Sequence, residues 1–299
     1  MNIIKLRYVW YALSGLIITG CIAVIAVFGL KQGIDFAGGS LLSVRFEGER
    51  PLAIEAEETL SSLELGGIVV QPVGEKDMNF RMQTLAEDKH QEMLAALKDK
   101  YGEISELRFD SIGPVIGQEL RSKSITALII VFIAILIYIG WTFRKVSVPV
   151  ASWKYGIITV IAAMHDVIIP IGVFALLGRF MGVEIGTSFI AAILTIMGYS
   201  INDTIVVMDR IRENLQKTSG TFEEIVNRSL NQTIARSINT TVTTLLALVA
   251  VFLFGGDSIK DFALTLIIGI STGAYSSIFI AAPLLVTVYK YQQKRRAGR

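Results

Sequence analysis

Apolar residues fall in six long runs, separated by short polar segments and by one long one. A helix needs ~20 consecutive apolar residues to cross a hydrocarbon layer of ~30 Å. Each run is near or above that length, and the fifth is the shortest. The pattern predicts six membrane spans, at residues 9–30, 125–143, 155–177, 185–208, 237–254 and 262–289.

The long segment between the first two runs, residues 35–115, has a different period. Leu42, Val44 and Phe46 alternate with polar residues, as in a half-buried strand. A helical pattern then begins at Pro51 and ends before two glycines. The later elements are strands at residues 68–73 and 78–85, a helix at 87–101 and a strand near Leu107 and Phe109. The order β-α-β-β-α-β is typical of a ferredoxin-like unit.

The two patterns together predict a polytopic α-helical membrane protein with six spans and one α+β ferredoxin-like extracytoplasmic domain. We expect the first transmembrane helix within residues 1–32 and the extracytoplasmic domain within residues 33–118. Five further helices should form a transmembrane bundle in residues 119–299. Within this bundle, residues 209–236 are expected to form a cytoplasmic amphipathic connection.

The distribution of charge predicts the orientation. Lys and Arg cluster before the first run, after the sixth and in alternate connections, which marks those regions as cytoplasmic. Both termini are therefore expected in the cytoplasm and residues 35–115 outside. That segment holds 16 Asp+Glu and 8 Lys+Arg, whereas the rest of the chain holds 10 and 20. Because the basic residues follow the membrane rule, no basic stripe is left for a nucleic acid.

Three ionisable side chains interrupt the apolar runs. His165 and Asp166 lie in the third run and Asp203 lies in the fourth, about five residues from its cytoplasmic end. A charged group at the bilayer centre costs roughly 2.5–3.5 kcal/mol even on the mildest scale, so such residues usually serve a function. The alternative is that they are buried polar contacts between helices. Pro170 follows Asp166 in the same run and removes a helical hydrogen bond beside it.

The outer segment contains no recognisable catalytic or metal-binding constellation. Its single histidine, His90, has no second ligand nearby in the sequence and is expected to be solvated. Gly38 and Gly39 lack the strand and helix context of a phosphate loop, so we interpret them as a turn. We expect neither enzymatic activity nor a cofactor or metal.

Several segments resemble the SecF subunits of the bacterial SecDF protein-export translocase, within the resistance-nodulation-division superfamily. The similarity lies in residues 33–39, 111–117, the pair His165 and Asp166, and residues 198–214, 232–240 and 275–283. It implies a complex with SecD that uses the proton gradient to help export unfolded polypeptides through the SecYEG channel. The expected location is the bacterial cytoplasmic (inner) membrane, with the chain crossing the lipid bilayer several times.

The resemblance also implies roles for individual residues. In the family, a carboxylate matching Asp203 and an arginine matching Arg236 are implicated in proton conduction, and we assign His165 and Asp166 to the same proton relay. A simpler interpretation of Arg236 is an anchor at the membrane interface. Threonines at positions 240, 241, 243 and 244 are candidates for helix packing or a hydroxyl relay.

Glycines flank both connections of the outer domain to the spans. We predict hinges at Gly38 and Gly39 in the first connection, and at Gly113, Pro114 and Gly117 in the second. Within the sixth run, residues 269 and 273 are glycines spaced to allow close approach of a neighbouring helix.

Two other functions fit the same pattern of spans. The chain could be half of a transporter that exports lipids or small molecules, which would require a large apolar cavity in the outer domain. It could also be a scaffold of the export channel that transports nothing, with the buried acids purely structural.

Overall fold

The computed structural model describes residues 2–63, 65–144 and 150–297. The chain forms two compact units, each described separately below. One comprises Met1–Lys31 and Thr126–Arg299, and we call it the helical unit. The other comprises Gln32–Ile125, and we call it the α+β unit.

Ten α-helices and four strands make up the described chain. The helices are α1 (Arg7–Phe28), α2 (Ile34–Ala37), α3 (Ala53–Leu60), α4 (Glu87–Tyr101), α5 (Pro114–Thr142), α6 (Ser152–Met181), α7 (Thr187–Lys217), α8 (Phe222–Phe254), α9 (Asp257–Ser276) and α10 (Ala282–Ala297). The strands are β1 (Gly39–Phe46), β2 (Val69–Val73), β3 (Asp77–Met82) and β4 (Ile104–Ile112).

The α+β unit has the predicted β-α-β-β-α-β order. Its sheet runs β2-β3-β1-β4 and all three pairings are antiparallel. Leu42 pairs with Phe80 on one side and with Phe109 on the other. The alternation of the strands places one set of side chains against helices α3 and α4. The fully buried members of this set include Leu42, Val44, Met78 and Phe80, and Met93 and Leu97 of α4 pack in the same core.

Of two further predictions for this unit, one is confirmed and one is wrong. The second helix covers Glu87–Tyr101, as predicted. The expectation that His90 is solvated was wrong, because only 4% of the residue is exposed. Its ring stacks on that of Phe109 at 3.7 Å, so it lies on the inner face of α4.

Six helices of the described chain are long and apolar enough to span a membrane, which confirms the predicted number. The helices extend beyond the apolar runs: α7 continues to Lys217 and α8 begins at Phe222. The connection expected at residues 209–236 is therefore two helix ends joined by residues 218–221. The same extension places Asp203 near the middle of helix α7, although it lies about five residues from the end of the apolar run, as the sequence shows.

Close contacts at small residues hold the helical unit together. A Cβ on Gly172 of α6 would lie 2.5 Å from the Cβ of Cys21, so α1 and α6 touch there at backbone distance. A cluster of ion pairs joins three helices of the same unit. At the start of α1, Arg7 pairs with Glu223 of α8 at 2.8 Å. Glu223 also pairs with Lys290 of α10. One carboxylate thus joins the two ends of the chain.

Candidate functional site: a buried acid pair between four spans

Asp166 lies at the centre of a polar cluster formed by three helices. The residue is fully buried on α6. Its Oδ1 lies 2.9 Å from His165 Nδ1, and its Oδ2 accepts hydrogen bonds from Ser200 Oγ at 2.5 Å and Ser276 Oγ at 2.7 Å. Since a buried polar group without partners costs several kcal/mol, these contacts explain how the carboxylate is tolerated.

Asp203 lies one helical turn from Ser200 on α7 and faces α8. It is 7% exposed. Ser237 Oγ donates to the carboxylate, at 2.5 Å from Oδ2. The next residue, Thr204, exchanges a hydrogen bond of 2.8 Å with Ser277. Hydroxyl groups therefore surround both acids.

A cavity of about 310 Å³, lined mostly by residues with polar groups, opens beside Asp203. A site of this size and polarity can hold several waters, each needing about 30 Å³. Arg236 is exposed at the cavity wall and interacts electrostatically with Asp203. The remaining lining residues are Tyr199, Asn202, Val206, Thr240, Thr243 and Thr244.

The predicted residues His165, Asp166, Asp203 and Arg236 thus gather in one region of the helical unit. Asp166 and Asp203 interact through space, although they lie on different helices. The arrangement is chemically suited to hold protons, because carboxyl groups, hydroxyls and room for water are adjacent. The described residues contain no group of three or more His, Cys, Asp or Glu that could hold a metal ion.

Sequence reasoning missed the serines that bind the two acids. Ser200, Ser237, Ser276 and Ser277 all lie within segments that carry the resemblance described above. Each is at most 2% exposed. The proximity of Ser200 to Asp203 was visible in the sequence because both lie on α7, whereas Ser237, Ser276 and Ser277 lie on other helices than the two acids.

Gly269 and Gly273 explain how these serines reach the acids. A Cβ on Gly273 would lie 3.0 Å from the Cβ of Ser200, and one on Gly269 would overlap the side chain of Ile196. These contacts confirm that the glycines permit close approach of a neighbouring helix, which is α7. Because α9 lies this close to α7, Ser276 of α9 comes within hydrogen-bond distance of Asp166 on α6.

The predicted hinge residues occupy one junction of the α+β unit. Gly38 and Gly39 have φ angles of +77° and +122°, which residues with a Cβ rarely adopt. A Cβ on Gly38 would lie 2.8 Å from Pro114 Cα, and one on Gly117 would lie 3.0 Å from the Gly38 nitrogen. The two connections therefore touch. Gly113 has open space around it.

Comparison with known proteins places the chain in a family. A model described as "Protein export membrane protein SecD/SecF, C-terminal" matches residues 92–291, and one described as "SecD/SecF GG Motif" matches residues 23–49. The protein translocase subunit SecF of Thermobaculum terrenum is 42% identical, over 96% of this chain and 93% of its own length. This chain belongs to the SecF family of protein translocase subunits.

Other relatives agree with this assignment. The SecF subunit of Anaerolinea thermophila is 37% identical over 96% of this chain and 93% of its own length. A crystal structure of SecDF, a translocon-associated membrane protein from Thermus thermophilus, matches with a TM-score of 0.84 at 32% identity. The match covers 97% of this chain and 39% of that chain, so this chain spans less than half of the solved protein.

Membership of this family establishes the general role of the chain. The chain is a multi-pass membrane protein of the protein-export machinery, because its relatives are translocase subunits and its helices are of spanning length. It is a transport subunit and not an enzyme. The pair Gly38 and Gly39, which the sequence predicted as a turn, lies within the matched glycine motif.

Proposed function

We propose that this chain acts with a SecD subunit and uses the proton gradient to assist export of unfolded polypeptides through the SecYEG channel. Its location would be the bacterial inner membrane, with both termini in the cytoplasm. The observation that carries the proposal is the position of Asp203. It is a buried carboxylate near the middle of helix α7, at the wall of a cavity that Arg236 also lines.

The charges around Asp203 suit reversible proton binding. Its direct partner is Ser237, a neutral hydroxyl, whereas Arg236 is exposed at the cavity wall. An arginine in direct contact favours the ionised acid, while burial favours the neutral form. Changes in the water content of the cavity therefore shift the balance between the two forms. A protein whose conformation alters that hydration can load and release a proton.

The partner is supported by a surface of α7 and α8. These spans expose a row of polar residues that we call the polar stripe, namely Thr195, Asn202, Arg236, Thr240 and Thr243. Polar side chains within spans rarely face lipid and usually face a protein or a water-filled path. A second, SecD-like half that covers the stripe would give Asp203 and Arg236 a water-filled path away from lipid.

The junction of Gly38, Pro114 and Gly117 supports a mechanical role for the α+β unit. Both connections meet there, so a change in either span acts on the same point. We propose that the unit moves as a rigid body about this junction, with Gly39 and Gly113 completing the hinge. Each proton that crosses a potential of 100 mV supplies about 2.3 kcal/mol for such a movement.

The test replaces Asp203 by Asn in a complex with SecD reconstituted in vesicles. Asn retains the size and the hydrogen bonds of Asp but cannot bind and release a proton. Proton flux under an imposed gradient is expected to fall about a hundredfold, because a positioned proton carrier contributes at least that much. Gradient-dependent export should be lost with it.

The matched control is Asp209→Asn on the same helix. Asp209 is exposed and pairs with Arg212 at 2.7 Å, so its loss should leave flux unchanged. Undiminished flux in folded Asp203→Asn protein would contradict the proton role and favour a scaffold with structural acids. Export of a lipid or small molecule by the intact complex would favour the half-transporter instead.

A further inference from the structure

The last span contains an irregular turn beside the two acids. Its helix is α9 up to Ser276, becomes π-helical over Ser277–Ala281 and resumes as α10. Single π-turns within α-helices are rare and occur frequently at functional sites. This one begins at the serine that contacts Thr204.

Two adjacent serines at this turn reach the surroundings of both acids. Ser276 Oγ donates to Asp166 Oδ2 at 2.7 Å. Ser277 hydrogen-bonds Thr204, the residue that follows Asp203 on α7, at 2.8 Å. Both serines are fully buried. These two consecutive serines therefore connect the hydrogen-bonded groups around Asp166 with those around Asp203.

Each of these hydroxyls has a second acceptor within reach. The Gly273 carbonyl lies 3.2 Å from Ser276 Oγ and 3.0 Å from Ser277 Oγ. A serine hydroxyl carries one proton and can donate one hydrogen bond at a time. Each hydroxyl can therefore rotate between its partner on the neighbouring helix and the Gly273 carbonyl. The favoured direction depends on whether the neighbouring carboxyl is ionised, because an ionised carboxylate is the stronger acceptor.

We propose that Ser276 and Ser277 are positioning residues that couple the protonation of Asp166 to that of Asp203. When Asp166 binds a proton, Ser276 turns toward the Gly273 carbonyl, and the shared turn passes the change through Ser277 and Thr204 to Asp203. The titratable and charged groups around this element include His165, Asp166, Asp203, Arg236 and Tyr275, whose ring stacks on that of His165. This inference rests on the proposed proton role and extends it to residues outside the acid pair.

The first measurement is proton flux by the chain reconstituted with SecD. Ser276→Ala and Ser277→Ala are each expected to lower flux about tenfold, as loss of a buried hydrogen-bond partner does. The double variant should be little worse than either single one, because residues that act as a unit are not additive. If alanine prevents folding, Ser276→Cys and Ser277→Cys retain similar size with a weak donor and should show the same loss.

Two hydroxyls of the same helix provide matched controls. Thr265 is fully buried and donates to the Asp261 carbonyl at 2.6 Å, away from both acids. Thr265→Val removes this hydroxyl at nearly constant volume. Ser271 is exposed and donates to the Ile267 carbonyl at 2.6 Å. Thr265→Val and Ser271→Ala should both leave flux unchanged.

The second measurement tests the coupling between Asp166 and Asp203 in a way that does not depend on proton transport. Infrared spectroscopy of the purified complex, titrated with pH, reports the protonation of Asp203, whose band is assigned by its loss in Asp203→Asn. In the native background, Asp166→Asn should shift the pH midpoint of this band. In the Ser276→Ala and Ser277→Ala double variant, Asp166→Asn should cause a smaller shift, because only the direct electrostatic interaction of the two acids remains, and a double-mutant cycle measures the difference.

The outcomes separate the two proposals. If the native complex carries no gradient-dependent flux, the proposed function fails, while the infrared cycle still decides whether the serines couple the acids. If the native complex conducts and the serine variants conduct as well as Thr265→Val, with the full infrared shift retained, the inference is overturned. Loss of flux together with a reduced infrared shift is the result we expect.

Discussion

The acids of this chain differ in the kind of partner that binds them. In the helical unit, the carboxylates of Asp166 and Asp203 bind neutral serine hydroxyls. A neutral donor can serve the carboxyl in either protonation state. In the α+β unit, Asp77 instead pairs with Arg45 through two hydrogen bonds of 2.7 and 2.8 Å. The Arg45 guanidinium lowers the pKa of Asp77 and keeps it ionised.

The Asp77 pair predicts a dependence of stability on pH. Since the pKa of Asp77 is lowered on folding, its contribution is present above the ordinary Asp pKa of about 4 and is lost as the pH falls through the folded value. Asp77→Asn should therefore speed hydrogen exchange of the β1 and β3 amides at neutral pH. At pH 2 the variant and the native protein should exchange at similar rates.

Both proteins are compared at the same pH, so that the intrinsic exchange rate cancels. Asp88→Asn provides the control, since Asp88 is an exposed acid in the first turn of α4. An equal difference between Asp77→Asn and native protein at both pH values would show that the effect is not electrostatic.

At the scale of elements, two glycines of α9 determine how close α7 and α9 lie. Gly269 faces Ile196 and Gly273 faces Ser200, so the backbones approach where the serines meet the acids. Without a hydrophobic force between helices in lipid, such small residues allow the contacts that hold spans together. The polar cluster therefore depends on helix packing as well as on its own hydrogen bonds.

Gly269→Ala is predicted to destabilise the chain by about 1–3 kcal/mol, as overpacking of a close contact does. The added Cβ would overlap the Ile196 side chain. Thermal unfolding in detergent provides the measurement, and Ile196→Ala in the same chain should restore part of the loss. Gly198→Ala is the control, because nothing lies within 4 Å of a Cβ at that position. Equal effects of the two alanine variants would contradict the packing argument.

At the scale of the whole molecule, the polar stripe of α7 and α8 indicates that the helical unit is incomplete alone. Asn202 and Thr243 are exposed in this chain, although they lie within spans. Burial against a second subunit removes the cost of holding such groups in lipid. The incompleteness agrees with the solved SecDF chain, of which this chain covers 39%.

Cysteines in the stripe test this expectation. With Cys21 replaced by Ala, Asn202→Cys and Thr243→Cys should react with a small permeant thiol reagent in the chain alone. In the complex with SecD, both should be protected at least about tenfold, because a covered side chain is reached only through local opening. Ser271→Cys, exposed on α9 outside the stripe, should keep its reactivity. Equal labelling of the stripe cysteines with and without SecD would show that this surface is not the interface.

Periodic patterns in the sequence determined the architecture of this protein. Apolar runs of spanning length predict six spans because a helix must satisfy its own backbone in lipid. Alternation in Leu42, Val44 and Phe46 predicts a strand because successive side chains face opposite sides of a sheet. The ionisable residues His165, Asp166 and Asp203 were also visible, since a polar residue within an apolar run is conspicuous.

Tertiary structure alone decided which residues surround those acids. Ser276 and Ser277 are far from Asp166 in sequence, and a serine in a span carries no signal of its own, because it can satisfy its hydroxyl on its own helix. The buried position of His90 against Phe109 and the continuation of α7 past Met208 were likewise set by packing and by hydrogen bonding. Hydropathy detects where lipid ends but not where a helix does, since polar residues continue a helix as readily as apolar ones.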